Sequence, residues 1–477
     1  MAIVYKNKTK IVATLGPASA NYEMILQLIK AGVRIFRINF SHGTQMQHKQ
    51  TIKLIHKINK EYGAYIAIIA DLQGPKIRLG MVEENLPPLQ TGDILEFTTK
   101  EMIGNNKKVY ITYPQFPKDV VAGDIILVDD GRIELKVMST NRKDAVKTKV
   151  IHGNKLSSKK GVNLPDTKVS IPSLTPKDYD DLIFALDQNV HWIALSFVRK
   201  AEDIIGLKKI IQDRKKLTKV IAKIEKPEAL KNIDAIIDAT DAIMVARGDL
   251  GVEVPVENVP FIQKDITRRC IKKAKPVIIA TQMMESMITD ARPTRAEATD
   301  VANAVLDGAD AVMLSAETAT GLHPDLVVTT MANIIEEAEK EECVYNRQHA
   351  PDKNSRTFLS DAMCFNSCRI ADEVNAHAIM GMTKTGYTAF MVSSCRPKAH
   401  IFIFTNNKHI VNTLNLLWGV KAFYYAKLNS TNETFEEVQK LLKHNKRLKT
   451  GDVVLNLGTM PVKEFARTNV LKISVIK

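Results

Sequence analysis

The chain has 477 residues, 45% of them apolar and 25% charged, and its formal net charge is +14. That length is too great for one compact core, so two or three domains of ordinary soluble composition are expected. The basic surplus favours polyanions or phosphorylated small molecules. Aromatic residues make up only 6% and the basic ones are scattered, which excludes the aromatic-laced basic stripe of a nucleic-acid binder.

At the start of the chain, Lys6, Lys8 and Lys10 are not followed by the apolar core of a secretory signal. No apolar run approaches the about 20 residues of a membrane span. The sequons at Asn7, Asn429 and Asn432 therefore read as chance matches in a cytoplasmic protein. Three short apolar runs, 10–16, 33–40 and 65–72, alternate with amphipathic helical text and read as buried strands. From about Pro75 to Ser170 the pattern changes to alternating strands with turns at Gly123-Asp124, Asp130-Gly131 and Pro165-Asp166, and convincing helices are missing. Alternation with helices resumes in the runs 191–198, 219–225, 242–250, 276–283 and 311–318.

Three units and five make a (β/α)8 barrel, an α/β fold, interrupted after its third strand by a small β domain. Beyond about residue 345, five further strands (376–382, 400–405, 420–425, 452–458 and 470–476) suggest a separate C-terminal α/β domain. The expected division is 1–74 with 172–344 for the barrel, 75–171 for the insertion and 345–477 for the last domain. The cysteines form no CxxC pair, and Cys364 and Cys368 share a helix face, so buried thiols are expected.

Active sites of such barrels lie at the C-terminal ends of the strands. Polar residues gather there: Arg37, Asn39 and Ser41; Asp71; Ser196 and Arg199; Lys223 and Glu225; Arg247 and Asp249; Thr281 and Gln282; Ser315 and Glu317. Any one of these could be an ordinary helix cap, but so many on one rim point to a site. Glu225 and Asp249, on adjacent strands and with no HExxH or Cys/His cluster nearby, suit a hard cation such as Mg²⁺ or Mn²⁺. Lys223, two residues before Glu225, shares its face and places an ammonium beside the ion. There is no G-x-x-x-x-G-K-[ST] loop and no GxGxxG. A nucleotide would be held by metal, by basic side chains such as Arg78 and Lys159–Lys160, and by the insertion closing as a lid.

The motifs TLGPAS, RINFSHG, ADLQGPKIR, KKGVNLP, AKIEKPEAL, VARGDLG, ATQMMESM, PTRAEATDVANAVLDG and MLSAETA, in this order, make the chain resemble the pyruvate kinase family over nearly its whole length. The resemblance implies a barrel with a β-barrel lid, a regulatory C-terminal domain, usually a homotetramer, and phosphoryl transfer from phosphoenolpyruvate to ADP. By motif it implies that Lys223 neutralises the phosphoryl group and that Glu225 and Asp249 bind Mg²⁺. Gly248 and Asp249 would receive the substrate carboxylate, and Arg37 would grip the phosphate. Thr281 would stand where the enolate is reprotonated, with Ser315 and Glu317 beside the proton route. Asn39, His42, Arg78 and Lys160 would serve the nucleotide.

The family's monovalent-cation ligands match Asn39, Ser41, Asp71 and the Leu72 carbonyl. However, the usual GPEIR reads GPKIR, with Lys76 for Glu and Leu72-Gln73 before it. In the family the Lys form accompanies independence of potassium. An ammonium swung into that site would supply the positive charge and repel K⁺. Thr383, Lys384, Thr385, Gly386, Tyr387 and Thr388, between a strand and a helix, form a phosphate cradle matching the family's sugar-phosphate effector loop. The loop LGTMPVKEFART, which elsewhere closes that pocket, lacks the usual Trp.

Two other readings are available. A metal-dependent barrel lyase acting on pyruvate enolates would not need the insertion, Lys223 or the last domain. A non-catalytic sensor of sugar phosphates would not need the polar ring.

Overall fold

The computed structural model describes residues 6–347, 349–427, 430–460 and 467–477. Asn429 of the second sequon, and residues 461–466 of LGTMPVKEFART, lie outside the described residues.

Eight parallel strands close into a barrel: Lys10–Leu15, Val33–Asn39, Ala67–Asp71, Trp192–Leu195, Lys219–Ile224, Ala242–Ala246, Val277–Ala280 and Ala311–Leu314. Between the strands and the surrounding helices lies one large apolar cluster. Inside the barrel a second cluster includes Val12, Ile35, Ile69, Trp192, Ile221 and Met244. Because strand side chains alternate in direction, the next inward position above each of Val12, Ile35, Ile69 and Ile221 is Thr14, Arg37, Asp71 or Lys223. The barrel's apolar filling thus gives way to a polar layer at the C-terminal ends of its strands.

Between Asp71 and Pro176 the chain builds a six-stranded sheet from Ile94–Thr98, Lys108–Tyr110, Ile125–Val128, Ile133–Thr140, Ala145–His152 and Val162–Asn163, with its own apolar core. Leu79 pairs with Ile111 at the end of edge strand Lys108–Tyr110, and Arg78 pairs with Gly161 at the start of the other edge strand, Val162–Asn163. The entering segment therefore ties both edges together and curls the sheet. The insertion is not wholly free of helix: a single turn, Phe116–Asp119, starts with Pro117 near its N-terminus, where a missing N–H costs nothing. The chain leaves the barrel at Gly74, whose φ is +69° and where a Cβ would lie 2.7 Å from that of Ser196. Only glycine fits this exit.

The last sheet has the order Val420–Tyr424, His400–Thr405, Ala378–Met382, Val453–Gly458, Val470–Val475, with only the final strand antiparallel. Cys364 and Cys368 are buried on helix Phe358–Glu373, and Cys270 and Cys395 are buried too. Cys343 departs from the expectation of buried thiols: it is exposed, on a short helical turn after the barrel's last long helix.

This sheet caps the N-terminal end of the barrel. Arg396, 1% exposed, pairs with Asp310 at 2.8 and 3.1 Å, donates to the Gly308 carbonyl, and lies 5.1 Å over the Trp418 ring. Asn412 Nδ2 donates to the Ile66 carbonyl at 2.9 Å, and Trp192 Nε1 donates to that of Thr413 at 3.3 Å. His191 and His409 meet across the seam at 4.9 Å between ring centroids. Burial, reinforced by His409 and His56, holds His191 well below its ordinary range. Burial, reinforced by Lys219 and Lys216, lowers His409 to about 4.

Both rings are therefore neutral in the folded protein, while an unfolded chain takes up these protons near pH 6.5. The contribution is present in full above that value and is lost as pH falls from 6.5 towards 4. The midpoint of thermal unfolding should drop over this window in the wild type. It should drop less steeply in a His409→Asn variant; equal slopes would contradict the assignment.

Candidate active site

The centre of the mouth is a group of four charges: Asp71, Lys223 and Glu225 are buried and Arg37 is partly buried. Lys223 Nζ lies 2.9 Å from Glu225 Oε1 and 3.3 Å from Asp71 Oδ1, and donates to Ser196 Oγ at 2.7 Å. Arg37 Nε donates to Asp71 Oδ2 at 2.6 Å, and its Nη1 donates to Thr14 Oγ1 at 3.0 Å. Burial opposes charge on Lys223, but Asp71 and Glu225 outweigh it and hold the ammonium above the usual lysine range. Burial likewise opposes charge on Asp71, and Lys223 and Arg37 outweigh it, so that carboxyl is held low. Glu225 differs. Burial raises it, Lys223 counteracts, and the nearby Asp249 adds to the rise, although the Phe197 N–H donates to it at 2.6 Å. A carboxyl whose proton affinity is raised beside a second carboxylate is suited to sharing a cation with it.

Asp249 follows the sixth strand, in the first turn of helix Arg247–Glu253. Gly248 N donates to Thr281 Oγ1 at 2.7 Å, and that hydroxyl donates to the Ala280 carbonyl at 2.5 Å. Thr281 and its neighbour Gln282 have φ of +68° and +55°. For a β-branched residue this is an outlier, costing roughly 1–3 kcal/mol, and such strain persists where surrounding contacts enforce it. Arg247 does so: it donates to the Thr281 carbonyl at 2.8 Å while paired with Asp300 at 2.6 Å. A cavity of about 530 Å³ opens here, lined by Lys76, Asp249, Gln282 and Asp300 together with Asp130 of the insertion. Beside it, buried Glu317 is raised by burial although it accepts from the Ser315 and Met284 amides.

The structure brings Arg37, Asp71, Ser196, Lys223 and Glu225 into direct contact, and Gly248 and Thr281 likewise. Other predicted residues are dispersed. Arg78 donates to the Lys159 carbonyl and Lys160 pairs with Asp129 at 2.8 Å, both within the insertion. His42 is exposed on the rim and Asn39 accepts from the Ser41 amide in a local turn.

Lys76 corrects an expectation. Its ammonium does not sit among Asn39, Ser41 and Asp71 but lies 3.6 Å from Asp249 Oδ1. Asp71 already carries two cationic partners, and the Leu72 carbonyl accepts from Ser196 Oγ at 2.7 Å, which leaves Asp249 as the under-compensated anion. Thr14, unremarked in the sequence, holds Arg37 in place, and the inward alternation after Val12 was the signal for it. Glu253, which contacts the insertion, had no such signal.

In the last domain Thr383, Lys384, Thr385 and Thr388 line a cavity of about 420 Å³ that also includes Tyr425 and Phe435. Gly386, at φ +90°, caps helix Tyr387–Ser394 and donates to Thr383 Oγ1 at 3.0 Å.

A closed parallel barrel with a curled β insertion, and with charged side chains converging at the C-terminal ends of its strands, defines a barrel enzyme with an inserted β domain. The model of the pyruvate kinase barrel domain matches residues 6–328, and that of the pyruvate kinase alpha/beta domain matches 361–474. Pyruvate kinase 2 of Synechocystis sp. is 44% identical over 475 residues, covering 98% of this chain and 79% of that protein. The pyruvate kinase of Corynebacterium glutamicum is 41% identical over 469 residues, 98% of each chain. A crystal structure of a pyruvate kinase from Cryptosporidium parvum matches with a TM-score of 0.92 at 34% identity, over 99% of this chain and 96% of that one. The chain belongs to the pyruvate kinase family. Its reaction is that of the family: phosphoenolpyruvate and ADP give pyruvate and ATP.

The contacts of Lys223 set a graded expectation. Ser196→Ala removes a hydrogen bond to a charged group, worth about 1.5–3 kcal/mol, and should slow turnover by about 10- to 100-fold. Lys223→Met should slow it by about 10²–10³-fold or more. Steady-state kinetics in which Lys223→Met stays near the wild type, or is less impaired than Ser196→Ala, would contradict the central role of the ammonium.

Proposed function

We propose that Lys223 neutralises the phosphoryl group as it passes from phosphoenolpyruvate to ADP, with Arg37 gripping the same phosphate from the second strand. The observation that supports this reading is the contact of Lys223 with both Glu225 and Asp71. It fixes a charged ammonium at the rim, where it needs no reorganisation as the transfer proceeds. Glu225 and Asp249 fit a divalent ion such as Mg²⁺ or Mn²⁺, because both offer hard oxygen donors and Asp249 adds to the rise in Glu225's proton affinity, which a cation would relieve. When bound, such an ion would supply further positive charge to the oxygens of phosphate and enolate.

The carboxylate of phosphoenolpyruvate is received at Gly248 and Asp249, with the Gly248 amide exchanging Thr281 for substrate. Thr281 then orients a water for reprotonation of the enolate. Its single proton is given to the Ala280 carbonyl, so what it offers a water is a lone pair. Ser315 and Glu317 lie beside that route. Asn39, His42, Arg78 and Lys160 serve the nucleotide once the lid has closed, which also keeps water from competing as acceptor.

The division of labour follows the segments: 1–74 with 172–344 for catalysis, 75–171 for the lid and 345–477 for regulation. The 420 Å³ cavity at Thr383–Thr388 is the seat of a sugar-phosphate effector. The enzyme works in the cytoplasm as a homotetramer; no helix among the described residues is long and apolar enough to cross a membrane.

We further propose that potassium is not required. Asn39, Asp71 and Leu72 already meet protein donors, and Lys76 brings a positive charge to the same mouth. A coupled assay for pyruvate in tetramethylammonium buffer tests the whole reading. Pyruvate release should depend on ADP and change little when KCl is added. Release without ADP would favour a lyase, and strong activation by KCl would contradict the role of Lys76.

A further inference from the structure

Glu253 ends the helix that begins at Arg247, and it is only 5% exposed. A carboxylate at a helix C-terminus meets the negative end of the dipole, and its burial costs several kcal/mol unless partners compensate. Its partners come from two different parts of the molecule. Lys226, the residue after Glu225, donates to Glu253 Oε1 at 2.6 Å, and Asn163 Nδ2 of the insertion donates to the same oxygen at 2.8 Å. The second oxygen is buried without a hydrogen-bond partner. Replacing it alone by an apolar residue would leave Lys226 and Asn163 without their acceptor, so the charge has a use beyond filling space.

The place of Asn163 supplies that use. It closes the last lid strand, directly after Val162, whose amide donates to Ile77, and Gly161, which bridges to Arg78. The entering connection is therefore bonded to the segment that Asn163 anchors, and the exit connection leads directly out of it. Glu253, for its part, is joined rigidly to both proposed metal-binding carboxylates. It is four residues from Asp249 on one helix, and through Lys226 it is tied to Glu225 at the strand end.

We propose that Glu253 is a positioning residue. With Asn163 and Lys226 it forms a latch that pins the base of the lid to the proposed metal-binding rim, and so determines how ADP is presented to phosphoenolpyruvate when the lid closes. This rests on the reading of Glu225 and Asp249 given above.

The test is steady-state kinetics on the full-length enzyme. Asn163→Asp opposes two carboxylates across the latch, and it should lower kcat/KM for ADP by about tenfold or more while the KM for phosphoenolpyruvate changes by less than about twofold. Combining it with Glu253→Gln restores a donor–acceptor pair with the roles exchanged, and Lys226 can then pair with the new carboxylate. The double variant should return to within about threefold of the wild type.

If Asn163→Asp does not fold, Asn163→Ser, which only shortens the donor, should raise the KM for ADP by about threefold with that for phosphoenolpyruvate unchanged. Folded single variants with normal ADP kinetics, or a double variant no better than Asn163→Asp, would overturn the latch. Mn²⁺ affinity of the free enzyme separates the two readings. It should be retained in Asn163→Asp, whereas its persistence in Glu225→Gln/Asp249→Asn would remove the metal reading and not the latch.

Discussion

The mouth of this barrel is organised by a charge balance that could not survive the loss of any one member. Lys223 and Arg37 share Asp71, and Lys223 also meets Glu225, all within a layer shielded from solvent. Each charge alone would be costly there; Asp71 and Glu225 keep Lys223 charged, and Lys223 and Arg37 keep Asp71 charged. Lys223 is the hinge of the group because it bridges both carboxylates and is further fixed by Ser196, which in turn is fixed by the Leu72 carbonyl. In the role proposed for Lys223, a cation immobilised this way would meet an incoming phosphoryl group without further ordering. That readiness is the main thing a protein can contribute to phosphoryl transfer.

The surrounding structure serves the same end by different means. Alternation along the strands lifts Thr14, Arg37, Asp71 and Lys223 above an apolar interior in one layer. Arg247 forces Thr281 and Gln282 into a backbone conformation they would not adopt alone, which aims the Thr281 hydroxyl at Gly248. The insertion leaves the barrel at Gly74, where no side chain can be accommodated, and contacts it again at Asn163. On the opposite end, Arg396 and Asp310 dock the C-terminal domain, and its cavity is lined by residues of that domain alone.

Much of this was legible in the chain because it rests on periodic signals. The eight strands were visible as apolar runs separated by helical text, and the ring at their ends followed from the barrel itself. Lys223 and Glu225 share a face because strands have a period of two. What remained hidden depends on contacts between distant segments. Lys76 reaches Asp249 and not Asp71, because Asp71 is already compensated by partners from two other strands. Nothing local to Glu253 reveals that Asn163 arrives beside it. The exposure of Cys343 could not be read from an apolar pattern either, as it falls in a short turn between domains.

The central claim is that the paired carboxylates at 225 and 249 form the metal seat beside the Lys223 ammonium. A crystal grown with Mn²⁺ and oxalate, an analogue of the enolate of pyruvate, tests it directly through the anomalous signal of manganese. The account predicts one strong peak within coordination distance of Glu225 and Asp249, with Lys76 displaced from Asp249 and oxalate lying between the ion and Lys223. A manganese peak elsewhere in the mouth, with both carboxylates free of it, would contradict the account.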